Sequence, residues 1–147
     1  MSDGLADRLY PARPIVAVST AVFRDGRALI TRRARAPWAG AFSLPGGVVE
    51  VGETLVEAAA RELMEEVGVV ADEFRFVRHV EPIHRDGAEV RAHFVICVFA
   101  ARWLIGEPGL SEEVDAIAWV DPYALGDRLT TPELPEIVAR AAGLVGL

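Results

Sequence analysis

A chain of 147 residues with 52% apolar and 25% charged content suits one globular domain with a continuous core, and a single domain over residues 1–147 is expected, with 1–12 as a flexible N-terminal segment. A net charge of −7, 15 basic residues that are all arginine, and the lone Cys97 argue against nucleic-acid polymers as partners, lysine-based Schiff-base or P-loop chemistry, and a disulfide framework or cysteine zinc site. No run reaches the ~18 apolar residues of a membrane span, and "MSDGLADRLYPARP" lacks a signal peptide's apolar stretch, so a cytoplasmic protein with no membrane partner is expected.

In chain order, Ile15–Phe23 and Ala28–Arg32 are β-rich runs separated by Asp25-Gly26, a hairpin pattern. The glycine turn ending "RAPWAGAFSLPGG" follows, and then the period changes. Thr54 caps a helix over 54–67, Glu57 completes a Thr-x-x-Glu capping box, and Gly68 ends it. At 100° per residue, Val56, Ala59, Ala60, Leu63 and Val67 share one face, with Glu62, Glu65 and Glu66 on an adjoining one. Strands are expected over 74–83, 89–103 and 116–120, with a turn at Arg85-Asp86-Gly87, a loop over 106–115, and a last helix beginning near Pro135. Strands, helix, strands, helix is the order of an α/β protein whose mixed sheet is covered by helices.

Glu65 and Glu66 stand in the last helical turn, where the dipole already concentrates negative charge. On an exposed helix such like-charge neighbours cost only about 0.2–0.5 kcal/mol per pair. In a partly buried cluster, at an effective dielectric of ~20 and a separation of ~6 Å, each pair would cost about 3 kcal/mol. Arg61 has the spacing to pair with Glu57 and Glu65, but one guanidinium cannot neutralise Glu53, Glu62, Glu65 and Glu66 together. A divalent cation can, and oxygen-only donors favour Mg²⁺ or Mn²⁺ over zinc. The Gly46-Gly47 turn would let a backbone carbonyl approach the same ion.

Gly47, five residues, Glu53, seven residues, then Arg61-Glu62-Leu63-Met64-Glu65-Glu66-Val67-Gly68-Val69 resembles a complete Nudix box, GX₅EX₇REUXEEXGU with U aliphatic. The flanking "WAGAFSLPGG" resembles the approach to the box in MutT-like members. The resemblance implies a Nudix α/β/α sandwich over about 13–143 and a metal-dependent pyrophosphohydrolase acting on a small nucleotide, and it allows a homodimer. It makes Glu65 and Glu66 metal ligands, Gly46 a carbonyl ligand, Glu62 a ligand or the base for the attacking water, and Glu53 a supporting or additional metal group. Arg61 would orient these carboxylates. Some members take the base from a later loop, where Glu112 and Glu113 are candidates here.

Substrate residues are less legible. Trp38 and Phe42 could stack on a base, and Arg32, Arg33 and Arg35 could hold a phosphate, although packing and solvation are the competing readings. His79, His84 and His93 lack metal-ligand spacing, and Trp119 is expected to pack. ADP-ribose or a nucleotide sugar is slightly favoured over a MutT-type nucleoside triphosphate such as oxidised dGTP. Pro82 lies 13 residues after Val69, close to the proline of the ADP-ribose subgroup without matching it. A non-catalytic nucleotide sensor is disfavoured because every box glutamate is retained. An isopentenyl-diphosphate-type isomerase is disfavoured because Cys97 lies in an apolar strand.

Overall fold

A computed structural model describes residues 8–147. Among the described residues there are eight strands: β1 (Ile15–Arg24), β2 (Arg27–Arg33), β3 (Phe42–Ser43), β4 (Gly46–Val48), β5 (Val70–Val80), β6 (Ile83–Asp86), β7 (Glu89–Ile105) and β8 (Val114–Val120). The helices named among the described residues are α1 (Leu55–Val67) and α2 (Leu134–Leu144). Among the described residues no helix is long and apolar enough to cross a membrane. Of the segment expected to be flexible, 1–7 lie outside the described residues. Tyr10 is tied to the β6–β7 hairpin, its amide donating to the Arg91 carbonyl at 2.8 Å and its hydroxyl to Asp86 at 2.6 Å.

β1 and β2 form the expected hairpin, and Asp25 and Gly26 both take positive φ, 51° and 76°, as a tight turn matched to strand twist requires. β1 runs parallel to β7 from Ile15↔Phe94 to Phe23↔Arg102, and the other pairings are antiparallel. β2 stays beside β1 only near the turn, at Phe23↔Ala28 and Arg24↔Arg27, and then diverges while remaining paired with β8. Two short strands fill the opening. β3 pairs with β2 at Thr31 and Arg32, and β4 pairs with β1 over Ala17–Ser19. This wedge fixes the Gly46-Gly47 backbone in front of α1.

Alternation along the strands explains the layers. Ala21, Phe23, Ala28 and Ile30 point to one face and pack with Leu134, Ile137, Val138, Ala141 and Ala142 of α2. Val22 and Leu29 point to the other and meet Leu63 and Val67 of α1, while Val18 meets Ala58 and Ala59. Burying a side chain such as Leu63 contributes about 1.5–3 kcal/mol. The result is the expected helix–sheet–helix sandwich.

Several details differ from the sequence reading. The expected strand over 74–83 begins earlier, at Val70, and breaks before β6 at Glu81-Pro82, where proline lacks the N–H needed for the ladder. The expected Gly46-Gly47 turn is part of a strand, β4, and β3 has no counterpart in the sequence reading. The buried face of α1 is also rotated: Ala58, Ala59, Leu63 and Val67 are buried, whereas Val56 and Ala60 are exposed. Glu62 and Glu66 therefore lie towards the sheet, and only Glu65 is on the solvent side.

The capping box forms as expected, Thr54 accepting from the Glu57 amide and Glu57 from the Thr54 amide. That engagement takes Glu57 away from Arg61. Gly68 ends the helix at φ 72°, with its amide on the Met64 carbonyl. An added Cβ would meet no neighbour within 4 Å, so Gly68→Ala isolates backbone strain and should cost about 1–2 kcal/mol, measured as a lower urea midpoint at unchanged m-value.

Candidate active site

Arg61 is the centre of the acidic cluster. Its Nε donates to Glu53 at 2.6 Å and its Nη2 to the same carboxylate at 2.8 Å, the bidentate arrangement that best matches guanidinium to carboxylate. Nη1 reaches Glu62 at 2.9 Å and Glu65 at 3.2 Å, and Nη2 also donates to the Val48 carbonyl at 3.1 Å. One side chain thus joins α1, β4 and the intervening loop. The Glu53 side chain is 18% exposed, Glu62 16% and Glu65 59%.

The loop before α1 adds a group that the sequence reading missed. The Glu50 amide donates to Glu53 at 2.8 Å, and the Glu50 carboxylate stands 3.8 Å from Arg61. The Arg61 hydrogen bonds, followed by the Glu50 amide, hold the Glu53 carboxyl down at about 2. Glu53 is therefore ionised throughout the neutral range.

Glu62 and Glu66 are placed differently. Burial pushes Glu62 above its ordinary value, opposed by Arg61. Burial pushes Glu66 up to about 8; the Gly46 N–H, donating at 2.8 Å, and the Arg33 charge oppose that shift, and Glu113 and Glu62 reinforce it. A Cβ on Gly47 would fall on the Glu62 carboxyl, and one on Gly46 would strike the Val18 carbonyl. Only glycine lets this backbone lie so close to both the helix and β1.

The donors fit a hard divalent cation in type: they are all oxygen, and burial disfavours the charge of two of them, Glu62 and Glu66. Among the described residues no group of three His, Cys, Asp or Glu side chains converges closely enough to enclose an ion. Arg61 and the Gly46 amide hold the carboxylates instead. Glu62, Glu65, Glu66 and the Gly46 backbone, the expected ligands, remain candidates for such an ion.

The NUDIX domain family profile matches residues 13–141. The chain belongs to the Nudix family. A crystal structure of a MutT NUDIX hydrolase from Burkholderia pseudomallei is similar at a TM-score of 0.76 and 31% identity, covering 87% of this chain and 98% of that one. An ADP-ribose pyrophosphatase of Methanocaldococcus jannaschii is 46% identical over 63 residues, 43% of this chain but only 37% of that protein's length. A MutT-like protein of Streptomyces ambofaciens is 29% identical over 119 residues, 81% of this chain and 71% of that protein.

Two loops of this Nudix domain, 34–41 and 106–113, contact each other, and the second carries Glu113, whose charge acts on Glu62 and Glu66. The Ala34 amide donates to the Glu113 carbonyl at 2.9 Å, Arg35 pairs with Glu112 at 3.2 Å, and Arg32 pairs with Asp115 at 2.6 Å. The two loop acids are thereby distinguished, because Glu112 is held by Arg35 whereas Glu113 acts electrostatically on Glu62 and Glu66. Sequence offered no basis for choosing between adjacent glutamates.

Trp38 is 43% exposed on the first loop. Phe42, expected beside it as a stacking residue, packs against the α2-side core, with the Arg128 guanidinium 5.7 Å from its ring centre. Trp119 packs as expected, next to Val22, Leu29 and Leu63. Half-buried Cys97 packs against the Val18 cluster, and His79 pairs with Glu81 at 2.9 Å.

The Glu66 shift has a sign that can be tested in metal-free protein. The folded state binds this proton more tightly than the unfolded chain does, so the stabilisation is complete below the ordinary value of 4.5 and is lost as pH rises through about 8. In chelator, the urea midpoint should fall between pH 5 and pH 8.5, and Glu66→Gln should flatten that decline.

Proposed function

We propose that this Nudix protein is a Mg²⁺- or Mn²⁺-dependent pyrophosphohydrolase. It cleaves the diphosphate of a nucleoside diphosphate linked to another moiety, giving a nucleoside monophosphate and the phosphorylated moiety. The observation that carries this reading is the pair of desolvated carboxylates, Glu62 and Glu66, held against the Gly46-Gly47 backbone, with the Arg61 guanidinium bonded to Glu62 alone of the two. A divalent ion bound there would withdraw charge from the phosphoryl oxygens as water attacks phosphorus.

The chain's own groups have separable tasks. Glu65, Glu66, Glu62 and the Gly46 carbonyl present oxygen donors on one side of the cleft. Arg61 fixes Glu62 and Glu65 relative to Glu53, so that the donors lose little freedom on binding. Glu62 or Glu113 accepts the proton of the attacking water on a carboxylate oxygen. Glu113 is preferred over Glu112 because its charge acts on the cluster. Exposed Trp38 offers a face on which a base could stack.

ADP-ribose or a related nucleotide sugar is the favoured substrate, supported by the 46% identity with the M. jannaschii ADP-ribose pyrophosphatase. The similarity to the MutT-like protein of S. ambofaciens over a larger share of the chain supports a nucleoside triphosphate as the second reading. A panel of ADP-ribose, nucleotide sugars, dinucleoside polyphosphates and normal or oxidised dNTPs, with products identified by mass, separates them. AMP plus ribose 5-phosphate supports the first reading, and pyrophosphate released only from dNTPs supports the second. With the preferred substrate and saturating Mg²⁺, Glu65→Gln and Glu66→Gln should each lower kcat by about 100-fold or more; full activity in Glu65→Gln would reject the assignment.

A further inference from the structure

Among the described residues, the Thr20 hydroxyl is the one buried side-chain polar atom without a hydrogen-bond partner. Thr20 stands in the middle of β1 and is 1% exposed. A hydroxyl in that position has lost its bonds to water without replacing them, which destabilises the fold. Valine has nearly the same shape, carries no such penalty and suits a strand equally well. The other buried threonine, Thr31 on β2, shows the ordinary solution, its hydroxyl donating to the Ser43 carbonyl at 3.4 Å.

Strand register places the Thr20 hydroxyl. Val18 packs on Ala58 and Ala59, and Val22 on Leu63 and Val67, so Thr20, between them, points to the same α1 face. Val18 is opposite Gly47, whose backbone lies against the Glu62 carboxyl. Two residues along β1, about 6.6 Å, lead to Thr20, and four residues along α1, about 6 Å, lead from Glu62 to Glu66. A single peptide unit connects the two. The Pro45 carbonyl accepts from the Thr20 amide at 3.0 Å, and the Gly46 N–H of that same unit donates to Glu66 at 2.8 Å. The unpartnered hydroxyl is therefore beneath the turn of α1 that carries Glu66.

We infer that Thr20 is a positioning residue for Glu66: its hydroxyl supplies a hydrogen bond to that carboxylate when the carboxylate holds the divalent cation. Among the described residues Glu66 accepts from one donor, the Gly46 amide, whereas a carboxylate has room for about four. A ligand fixed from two sides loses less freedom on binding than one fixed from a single side. The inference rests on the metal-dependent reading and adds to it a residue outside the Nudix box, acting through Glu66.

The competing explanation is that Thr20 serves packing alone. Thr20→Val keeps the shape without the hydroxyl, Thr20→Ser keeps the hydroxyl without the methyl group, and Thr31→Val removes the other buried hydroxyl. Two quantities are compared for each protein: the thermal midpoint in EDTA, and the affinity for Mn²⁺ alone, read from the paramagnetic resonance signal of the free ion.

The two orders should be opposite. Thr20→Val should raise the midpoint by roughly 2–4 °C and Thr20→Ser should lower it. Mn²⁺ should bind roughly 10-fold more weakly to Thr20→Val, and within about twofold of wild type to Thr20→Ser and Thr31→Val. Wild-type Mn²⁺ affinity in Thr20→Val overturns the inference; so does a joint loss of stability and affinity in that variant, an affinity that serine does not restore, or equal weakening by Thr31→Val. Hydrolysis by the wild type, scored in parallel, separates the two levels. Mn²⁺ binding and turnover that are indifferent to Thr20→Val remove only this role, while a wild type that neither binds Mn²⁺ nor turns over any substrate removes the metal-dependent reading with it.

Discussion

The Arg61 guanidinium is the constraint on which the site depends. It spans β4 through the Val48 carbonyl, the pre-helical loop through Glu53, and α1 through Glu62 and Glu65. Four carboxylates crowded into one loop and two helical turns would otherwise repel one another. The bidentate Glu53 contact keeps Arg61 in a single orientation, which in turn limits where Glu62 and Glu65 can point. Fixed negative charge is thus kept together without being fully neutralised, the condition under which an additional cation gains most.

That constraint works only because the sheet opens at the right place. β1 and β2 part after their shared turn, and Phe42–Val48 enters the gap, lending two residues to β2 and three to β1. The backbone that emerges is held by β1 on one side and by the Glu66 carboxylate on the other. Substituting either Gly46 or Gly47 would place a methyl group where a carbonyl or carboxyl already sits. The glycines are required here for close approach between layers, more than for turning the chain.

The helix, its caps, the first hairpin and the final helix were legible because each depends on neighbours within a few residues: Thr54 with Glu57, Asp25 with Gly26, Pro135 at the start of α2. The acidic residues were legible for the same reason, since their spacing is fixed on one helix. Their burial was not. Val56 and Ala60 look as apolar as Ala58 and Ala59, and only contact with β1 and β4 decides which pair turns inward, carrying Glu62 and Glu66 with it. Strands as short as β3 and β4 have too few residues to show any period. Likewise, whether Arg33 or Arg32 is neutralised depends on Asp115, which lies far away in sequence.

The pairing of the 34–41 and 106–113 loops carries a consequence for how this scaffold could diversify. A main-chain bond from Ala34 to Glu113 and an ionic contact from Arg35 to Glu112 join the two loops, beside the Arg32–Asp115 pair that links β2 to β8. An insertion in either loop would shift the other, so relatives that differ in what they accept should change length at both places together, while the 46–66 segment stays as it is.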